Sequence, residues 1–550
     1  MNNRKLLLLS ALSGLLFIPA WYEWGHGLIL IFAFIPLFVI EDFLARNKKQ
    51  YRSFRAFLLA IPAFLIWNAV TTWWIFNATA VGMVIAILAN TVLMSAVFWF
   101  FHITKRQLGY GVGYFAFIIY WLTFEHFYFN AELAWPWLTL GHGLNYHTRF
   151  IQWYDSTGVL GGSLWILLCN VLLYASYKSY LIKQRNREFA GIIVLFVIVL
   201  IVPVIISYIK YNTYHEKINP KEIVVLQPNI DPYQKFISDP YEQTLIQLKL
   251  AKSYADTNTD YVVGPETSIN NSIWLHQIES IPDIMLIRAF LQHFPKMKYV
   301  VGAQCFERVF GKDTIGSTVY HTPGSPVYYK SYNAALQLDS TPEVQVYFKS
   351  ELVVGVEKMP YTQYLQFLDN LIIQLGGTIR GWSTQEEREV FFSPQDSTGI
   401  APVICWESVF GEYLNDYILK GADFIFVITN DGWWGNTPGY RQHNALSRVR
   451  AIETRRSIAR SANTGISCFI DQRGDIIQKL GWWERGAIKA HINANDKITF
   501  YVKNGDYIGR ISRFFSMLVV LYLLTSYLLV RKRNIHHLKY DNKADKIIHD

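Results

Sequence analysis

The stretch Ala401-Pro-Val-Ile-Cys-Trp-Glu-Ser-Val-Phe-Gly-Glu-Tyr413 joins an apolar run to a reactive side chain. Residues 401–404 predict a buried strand, and Trp406–Leu419 predicts a helix that begins directly after it. Cys405 then lies on the turn between them, where the helix dipole lowers the pKa of a thiol and backbone N–H groups can bind an oxyanion. The pattern predicts a nucleophile; the alternative is a buried, inert cysteine, the usual state of this residue.

Two other strand ends carry the polar groups that a cysteine nucleophile needs. Glu266 follows the apolar run Tyr261–Gly264, and Lys349 and Glu357 belong to the stretch Val-Tyr-Phe-Lys-Ser-Glu-Leu-Val-Val-Gly-Val-Glu. A carboxylate can accept the thiol proton, and an ammonium group can stabilise a tetrahedral oxyanion. Each residue alone has an ordinary alternative, a helix cap for Glu266 and an exposed strand edge for Lys349. Together with Cys405 they supply the groups for acyl transfer through a thioester.

The segment around these residues alternates short β-type runs with helical patterns, of which Tyr241–Ala255 and Tyr440–Ala462 are the clearest helices. The predicted strands are Glu222–Leu226, Tyr261–Gly264, Tyr299–Ala303, Ala334–Leu338, Ala401–Ile404, Phe424–Thr429 and Ser467–Asp471. Such alternation predicts a layered α/β domain. Cys305, which also follows a strand, is the second candidate nucleophile. Cys169, in an apolar run, and Cys468, within a strand, are predicted to be inert.

Long apolar runs flank this domain on both sides. Of the 550 residues, 51% are apolar and 17% charged, which excludes a disordered chain and disfavours a purely soluble enzyme. Eight runs have the length of membrane-spanning helices. They are Leu6–Trp21, Gly27–Leu44, Phe54–Phe76, Ala80–Phe101, Tyr110–Tyr128, Ser163–Ile182, Gly191–Ile209 and Phe514–Val530. The first also fits a cleavable signal peptide, but no clear cleavage site follows it.

The loops between these runs predict their orientation. Lys and Arg concentrate in every second loop and in both tails, whereas the short loops on the other side carry only Arg149. The positive-inside rule therefore places both ends in the cytoplasm. The predicted organisation is seven spans in 1–210, an extracytoplasmic catalytic domain in 211–512, an eighth span in 513–531 and a basic tail in 532–550. The net charge of +9 follows largely from this topology, so nucleic acid is not a predicted partner.

At these residues the chain resembles the nitrilase, or carbon–nitrogen hydrolase, superfamily. Glu266, Lys349 and Cys405 occur in the order and context of its Glu-Lys-Cys triad, and residues 428–435 and 450–465 are similar to its later motifs. With the spans added, the chain is similar to the membrane-embedded branch of that superfamily, the apolipoprotein N-acyltransferases. The stretches that carry this narrower resemblance are Gln227-Pro-Asn-Ile230, Trp135-Pro-Trp-Leu138 and Cys405-Trp-Glu407.

The resemblance implies an αββα sandwich and two half-reactions. A phospholipid of the bacterial inner membrane donates an acyl chain to Cys405, and the α-amino group of a lipoprotein's diacylglyceryl-cysteine accepts it. The resemblance also implies that Glu266 is the base and that Lys349 is the cation that stabilises the oxyanion. Glu357, Trp406 and Glu407 would support them. The candidate lipid-binding residues are Trp135, Trp137 and Phe236, the last standing where the family tends to have Trp. HExxH, P-loop and GxGxxG motifs are absent from the sequence, so no metal or other cofactor is predicted.

Two other functions compete with this one. A membrane-tethered amidase would use water as the acyl acceptor, and a transporter would use the outer domain only to bind. Against a transporter, we count Glu125 and His126, near the end of one span, as the main titratable residues within the spans. The arginines of Tyr440–Asn463 could contact phospholipid headgroups, although a structural helix is the stronger interpretation. The aromatic loop Phe129–Gly162 could border the site or only anchor the protein at the membrane surface.

Overall fold

The first 213 residues are mainly helical. The computed structural model describes residues 1–181, 186–314, 318–322, 324–358 and 381–548. The N-terminal helices are α1 (Asn3–Phe17), α2 (Leu30–Ala33), α3 (Ile35–Arg46), α4 (Phe54–Thr72), α5 (Ala80–Leu108), α6 (Tyr110–Asn130), α7 (Tyr154–Leu181) and α8 (Asn186–Thr213). Their buried faces are rich in Phe and Trp, which pack between helices as in the pair Phe17 and Trp67, whose ring centroids are 4.2 Å apart.

Seven helical segments in the described part of the chain are long and apolar enough to cross a membrane. They are Asn3–Trp21, Gly27–Arg46, Phe54–Asn77, Ala80–Leu108, Tyr154–Leu181, Phe189–Thr213 and Tyr507–Leu529. The predicted fifth span is present as the 21-residue helix α6, which is not among these seven segments. The helical membrane domain is thus confirmed, and eight crossings stay a prediction. The last two residues of the predicted basic tail lie outside the described residues, as does Ile182 at the end of the predicted sixth span.

A buried charged cluster joins three of these helices. Lys105 of α5 donates hydrogen bonds to Glu41 and to Asp42 of α3, the latter at 2.8 Å, and Lys178 of α7 lies 3.0 Å from Asp42. His102 Nδ1 is 2.9 Å from Glu41. The sequence-based count of Glu125 and His126 as the main titratable residues of the spans was therefore wrong. Glu41 and Asp42 are also buried, as Glu125 and His126 are, and their carboxylates are paired within the helix bundle.

Two β-sheets form the core of the following domain. The strands are β1 (Pro220–Gln227), β2 (Tyr261–Val263), β3 (Ile269–Trp274), β4 (Lys298–Val309), β5 (Val319–His321), β6 (Tyr328–Leu338), β7 (Val344–Phe348), β8 (Phe391–Phe392), β9 (Gly399–Ile404), β10 (Phe424–Thr429), β11 (Ser457–Ala462), β12 (Cys468–Ile470), β13 (Ile476–Lys479) and β14 (Gly486–Asn493). One sheet has the order β14-β1-β2-β4-β6-β5, with β3 beside β4 and β7 beside β6, and the other runs β13-β12-β11-β10-β9-β8.

Helices cover the outer face of each sheet. They are α9 (Pro240–Tyr254), α10 (Pro282–Leu291), α11 (Gly411–Leu419) and α12 (Pro438–Thr454). The chain ends with the short helix α13 (Phe500–Asn504) and the long helix α14 (Tyr507–Ile548), which packs against α6. Apolar residues of α9 and α10 pack on the first sheet, and those of α11 and α12 pack on the second. Between the sheets, the ring of Tyr261 in β2 meets that of Phe426 in β10 edge-on at 5.4 Å. The predicted αββα sandwich is confirmed.

Helix α12 also packs against the membrane domain. Gln442 Oε1 accepts hydrogen bonds from the indole N–H groups of Trp74, at 3.2 Å, and Trp137, at 2.8 Å. Its Nε2 donates to the carbonyl oxygen of Trp21 at 3.0 Å. Because this buried amide satisfies groups from several membrane-domain segments, it fixes the position of the α/β domain on the helices.

Two predicted helices have different bounds in the structure. The predicted helix Tyr440–Ala462 was wrong at its C-terminal end. Arg455 adopts a left-handed conformation (φ 52°), and residues 457–462 form strand β11. Trp406–Leu419 is a 3₁₀ turn, Cys405–Val409, followed by α11, with extended backbone at Phe410. Four of the six arginines in 440–463 are buried, which favours the structural interpretation of this segment. They are Arg450, Arg455, Arg456 and Arg460.

Candidate active site

Cys405 lies on a tight turn at the end of β9. Its φ is 50°, in the left-handed region that a non-glycine residue rarely adopts. The turn is held by Ser408, whose hydroxyl donates a 2.7 Å hydrogen bond to the carbonyl oxygen of Cys405. Such strained backbone at a nucleophile persists only where the surrounding structure enforces it. Here the neighbouring strand β10 and helix α12 surround the turn.

Glu266 comes from the first sheet and faces this turn. It follows β2 after Gly264-Pro265, and β4 approaches it closely at Gly302, where a Cβ atom would lie 2.6 Å from the Glu266 Cα. Only glycine fits at that position. Lys235, which is buried, donates hydrogen bonds to the Glu266 carbonyl oxygen at 2.8 Å and to the Thr267 hydroxyl at 2.7 Å. The backbone that carries Glu266 is therefore fixed from two sides.

Lys349 follows directly after β7 and is fully buried. Its Nζ lies 3.2 Å from Glu266 Oε1 and 2.8 Å from Glu357 Oε1. Glu357 in turn accepts a 2.8 Å hydrogen bond from the Val353 backbone N–H. The exposed-edge alternative for Lys349 was wrong, because the side chain points inward between two carboxylates.

These contacts determine the protonation of the site. Burial opposes the charge on Lys349, but the carboxylates of Glu266 and Glu357 outweigh it and raise the pKa of Lys349 well above its usual range. Burial, followed by the charge of Glu266, raises the pKa of the Cys405 thiol well above its ordinary value, although Lys349 opposes this shift. The expected lowering of the thiol pKa was wrong, because burial and the charge of Glu266 dominate and the helical segment after Cys405 is a single 3₁₀ turn. The thiol therefore needs a base.

Two asparagines complete the surroundings of Glu266, and the sequence did not reveal them. Asn333 Nδ2 donates to Glu266 Oε1 at 2.8 Å and to Glu357 at 3.2 Å, and the Asn430 backbone N–H donates to Glu266 Oε2 at 3.1 Å. Asn333 lies within β6, directly before the predicted strand Ala334–Leu338, and its sequence context did not mark it as a site residue. Asn430 follows the end of β10, at the same edge as Cys405.

Glu407 acts on the backbone rather than on the Lys349 side chain. Its carboxylate accepts hydrogen bonds of 2.8 Å from the backbone N–H groups of Ile404 and Ser350, the neighbours of Cys405 and Lys349. The Tyr347 hydroxyl donates to the same carboxylate at 2.6 Å. Glu407 therefore fixes the two strand ends relative to each other.

Two cavities meet at Cys405. The first, called the polar chamber here, is lined by Glu266, Asn333, Lys349, Glu357 and Asn430, and also by Phe236, Trp382 and Trp433. The second, called the apolar channel, extends from Cys405 and Trp406 along the start of α5. Cys405, Ala78, Val353, Val356 and Trp434 line both cavities. Cys405 thus has, on one side, a space that contains charged and amide side chains and, on the other, a space lined mainly by apolar residues.

The aromatic residues that the sequence singled out border these cavities. Trp137 stacks on Trp406 with ring centroids 5.7 Å apart and planes 8° from parallel, and Trp135 lies 5.4 Å from Trp406. Trp135 lines the apolar channel, whereas Trp137 is buried behind it. Phe236 is about half exposed at the mouth of the polar chamber and stacks on Trp433. The loop after α6 therefore borders the site.

The other cysteines of this domain lie apart from the triad. Cys305 lies within β4 rather than after it, and Cys468 lies within β12. Burial raises the pKa of each thiol to about 12. Neither residue lines the polar chamber or the apolar channel.

Cys405, Asp431 and His443 are close enough to hold a metal ion, but two of them already have other partners. Arg460 donates to Asp431 Oδ2 at 2.7 Å, and His443 Nδ1 lies 2.9 Å from Asp431 Oδ1. Burial opposes the charge on Asp431, but Arg460 and His443 outweigh it and lower its pKa. A guanidinium group in contact with the carboxylate fits an ion pair better than a metal site.

Comparison with known proteins identifies the family of the domain that contains these residues. Residues 225–499 match the family model described as carbon–nitrogen hydrolase, which covers half of the chain. The chain belongs to the carbon–nitrogen hydrolase family. Residues 13–172, ahead of the carbon–nitrogen hydrolase domain, match a second model, described as the apolipoprotein N-acyltransferase N-terminal domain.

Relatives of this carbon–nitrogen hydrolase extend over nearly its whole length. An apolipoprotein N-acyltransferase of Chlorobaculum tepidum is 28% identical over 518 residues, which are 92% of this chain and 94% of that protein. One from Thermotoga maritima is 24% identical over 541 residues, or 95% of this chain and 93% of that protein. Among solved structures, an amidase from Nesterenkonia sp. aligns with 54% of this chain and 98% of its own, at 14% identity and a TM-score of 0.35.

Proposed function

We propose that this protein is an apolipoprotein N-acyltransferase that moves a fatty acyl chain from a membrane phospholipid to a lipoprotein through a thioester on Cys405. The observation that carries the proposal is the position of Cys405 between the apolar channel and the polar chamber. The first space suits an acyl chain, and the second holds the groups that move protons. The match to both family models and the full-length relatives support the same activity.

The first half-reaction uses the groups of the polar chamber. Glu266 accepts the proton of the Cys405 thiol while sulfur attacks the ester carbonyl carbon. The Lys349 ammonium group and a backbone N–H after Cys405 stabilise the tetrahedral oxyanion. When the C–O bond breaks, protonated Glu266 gives its proton to the leaving oxygen, so the products are a lysophospholipid and an acyl thioester.

The second half-reaction reverses these proton transfers. The α-amino group of a diacylglyceryl-cysteine attacks the thioester carbonyl, and Glu266 accepts a proton from the nitrogen. The C–S bond breaks, an amide forms, and the Cys405 sulfur recovers its proton from Glu266. Glu357, Asn333 and Glu407 hold Lys349, Glu266 and the two strand ends in place, as positioning residues.

The location follows from the substrates and the loops. We place the protein in the bacterial inner membrane, with residues 211–512 on the periplasmic side, because Lys and Arg concentrate on the opposite side of the predicted spans. A phospholipid chain can enter the channel from the bilayer without crossing water, which would cost about 0.8 kcal/mol per exposed CH₂.

A tethered amidase is the less favoured alternative. Its acceptor is water, and it needs no apolar channel beside α5. The large apolar space that reaches the nucleophile from the membrane helices therefore supports a lipid substrate. A transporter is also less favoured, because the buried charges of α3 and α5 pair with one another.

The test is an acyl adduct on Cys405. The full-length protein, incubated with phosphatidylethanolamine vesicles and no acceptor, is expected to gain one acyl mass on the peptide that contains Cys405. Neutral hydroxylamine should remove it, since thioesters are labile to this reagent. Cys405→Ala should abolish the adduct, whereas Cys305→Ala and Cys468→Ala are matched controls that should retain it.

The acceptor is tested on the same adduct. A diacylglyceryl-cysteine peptide with a free amine should discharge the acyl group and gain its mass, and N-acetylation of that peptide should block the transfer. An adduct that maps to Cys305 contradicts the nucleophile. Discharge by water as fast as by the peptide contradicts the acyltransferase and favours the amidase.

A further inference from the structure

The apolar channel contains one buried polar pair. Tyr128 of α6 donates a 2.6 Å hydrogen bond to Asn90 Oδ1 of α5, and both side chains are more than 90% buried. Both residues line the channel that reaches Cys405. A hydroxyl and an amide that are buried among apolar groups are costly unless they are hydrogen-bonded, so hydrocarbon in the channel disfavours opening of the pair.

One face of α5 forms the wall that leads to this pair. The helix and its N-cap residue contribute, in order, Thr79, Gly82, Ile85, Ala86, Ala89 and Asn90. These positions recur every three or four residues, so they share one side of the helix. Gly82, Ala86 and Ala89 are small and leave a groove, and Asn90 is the first large polar residue after them. From Thr79 to Asn90 the wall is about 16 Å long, at a helical rise of about 1.5 Å per residue.

We propose that Asn90 and Tyr128 form the floor of the channel and set the length of the acyl chain that Cys405 accepts. This inference rests on the proposed function and names its donor more closely. The occupant is the donor's acyl chain, because that chain is bonded to sulfur at the end of the channel formed by Cys405. An extended hydrocarbon advances about 1.3 Å per carbon, so the wall of α5 alone matches about twelve carbons.

The physical basis is a balance at the terminal methyl group. A chain that is too short leaves part of the channel unfilled and loses about fourfold in binding for each missing methylene. A chain that is too long must break the hydrogen bond between Asn90 and Tyr128 or bend out of the channel. The expected result is one preferred length.

The experiment uses the full-length protein and vesicles with equimolar phosphatidylethanolamines whose saturated chains run from C12 to C20. The mass distribution of the Cys405 adduct gives the preference. Wild type is expected to show one maximum. Asn90→Ala lowers the floor, so the ratio of the adduct two carbons longer to the wild-type optimum should rise by up to about 15-fold. Ala86→Leu fills the groove and should move the maximum to shorter chains.

Leu88→Ala is the matched control, because Leu88 lies on the same helix, is about half exposed and does not line the channel. It should leave the distribution unchanged. If Asn90→Ala and Ala86→Leu give the same adduct distribution as wild type, Asn90 and Tyr128 do not set the chain length, and the proposed function still stands. An equal shift in Leu88→Ala also overturns that role of Asn90 and Tyr128. Wild type without any adduct overturns both, and if Asn90→Ala does not fold, the direction of the shift in Ala86→Leu decides.

Discussion

The membrane domain and the catalytic domain each bury a lysine between two carboxylates. Lys105 lies between Glu41 and Asp42, and Lys349 lies between Glu266 and Glu357. The surroundings of the two differ. Lys105 contacts groups of α3 and of α6, including the Tyr114 hydroxyl at 3.4 Å, and so joins helices. Lys349 borders an open chamber that also contains a thiol. A buried ion triad is thus structural by default, and a nucleophile and a cavity are what make it a site.

Replacing each lysine by methionine tests this comparison most strongly. In Lys349→Met the rate of adduct formation per folded molecule should fall about 10²–10³-fold, because an oxyanion donor is lost. Lys105→Met should lose about 3–5 kcal/mol of stability, since the buried Glu41 loses its ammonium partner while Asp42 keeps Lys178, yet it should keep its rate within about twofold. Adduct formation normalised to the folded fraction measures both. A normal rate in Lys349→Met would mean that both triads are structural.

Removing one carboxylate from each triad gives a smaller effect. Glu357→Gln keeps the shape of the side chain but leaves Lys349 with one carboxylate, so its pKa should be less raised and the rate should fall about tenfold, less than on loss of the donor itself. Adduct formation should also begin to decline at a lower alkaline pH than in wild type. Asp42→Asn is the counterpart in the membrane domain and should show wild-type rate and pH profile. Equal rate losses in the two variants would contradict a special role for Glu357.

A third buried lysine, Lys235, extends the comparison, and its replacement is expected to change the rate least. Lys235 touches a carbonyl and a hydroxyl rather than two carboxylates, and burial lowers its pKa to about 8, with partial opposition from Glu266. Between pH 8 and about 10.4 the unfolded state binds more protons here than the folded state, so stability should rise with pH across that window.

Lys235→Met should lack this rise, with a difference of up to about 3 kcal/mol in its pH dependence relative to wild type. Its rate of adduct formation near neutral pH should stay within about threefold. Unfolding midpoints measured from pH 7 to 10.5 test the prediction. Parallel curves for the two proteins would show that Lys235 has an ordinary pKa.

The positions of the triad residues were accessible to sequence analysis because each follows an apolar strand. Glu266, Lys349 and Cys405 come directly after or close behind strand ends, and such ends converge at one edge of the sandwich. The hydropathy of the flanking runs likewise indicated the helical membrane domain. Asn333 was not predicted, because an asparagine within a strand shows its role only when its neighbours in space are known.

Each error in the sequence-based prediction can be traced to particular residues. The pattern of 440–462 reads as one helix, but Arg455 reverses the backbone, and Arg460 fits a buried strand only because Asp431 pairs with it. That partner is 29 residues away, so the helical pattern gave no sign of it. The thiol pKa was misjudged because the short turn after Cys405 looks in sequence like the start of α11.

The catalytic domain is attached to membrane helices at both its ends, through α8 and α14, and Gln442 holds it against them in between. It cannot leave the surface to collect a substrate. Both lipids of the proposed reaction must therefore arrive by two-dimensional diffusion within the bilayer. The effective concentration of each lipid substrate is therefore its mole fraction in the membrane. Dilution with an inert lipid or detergent should slow turnover even when the amount of substrate per volume of solution stays constant.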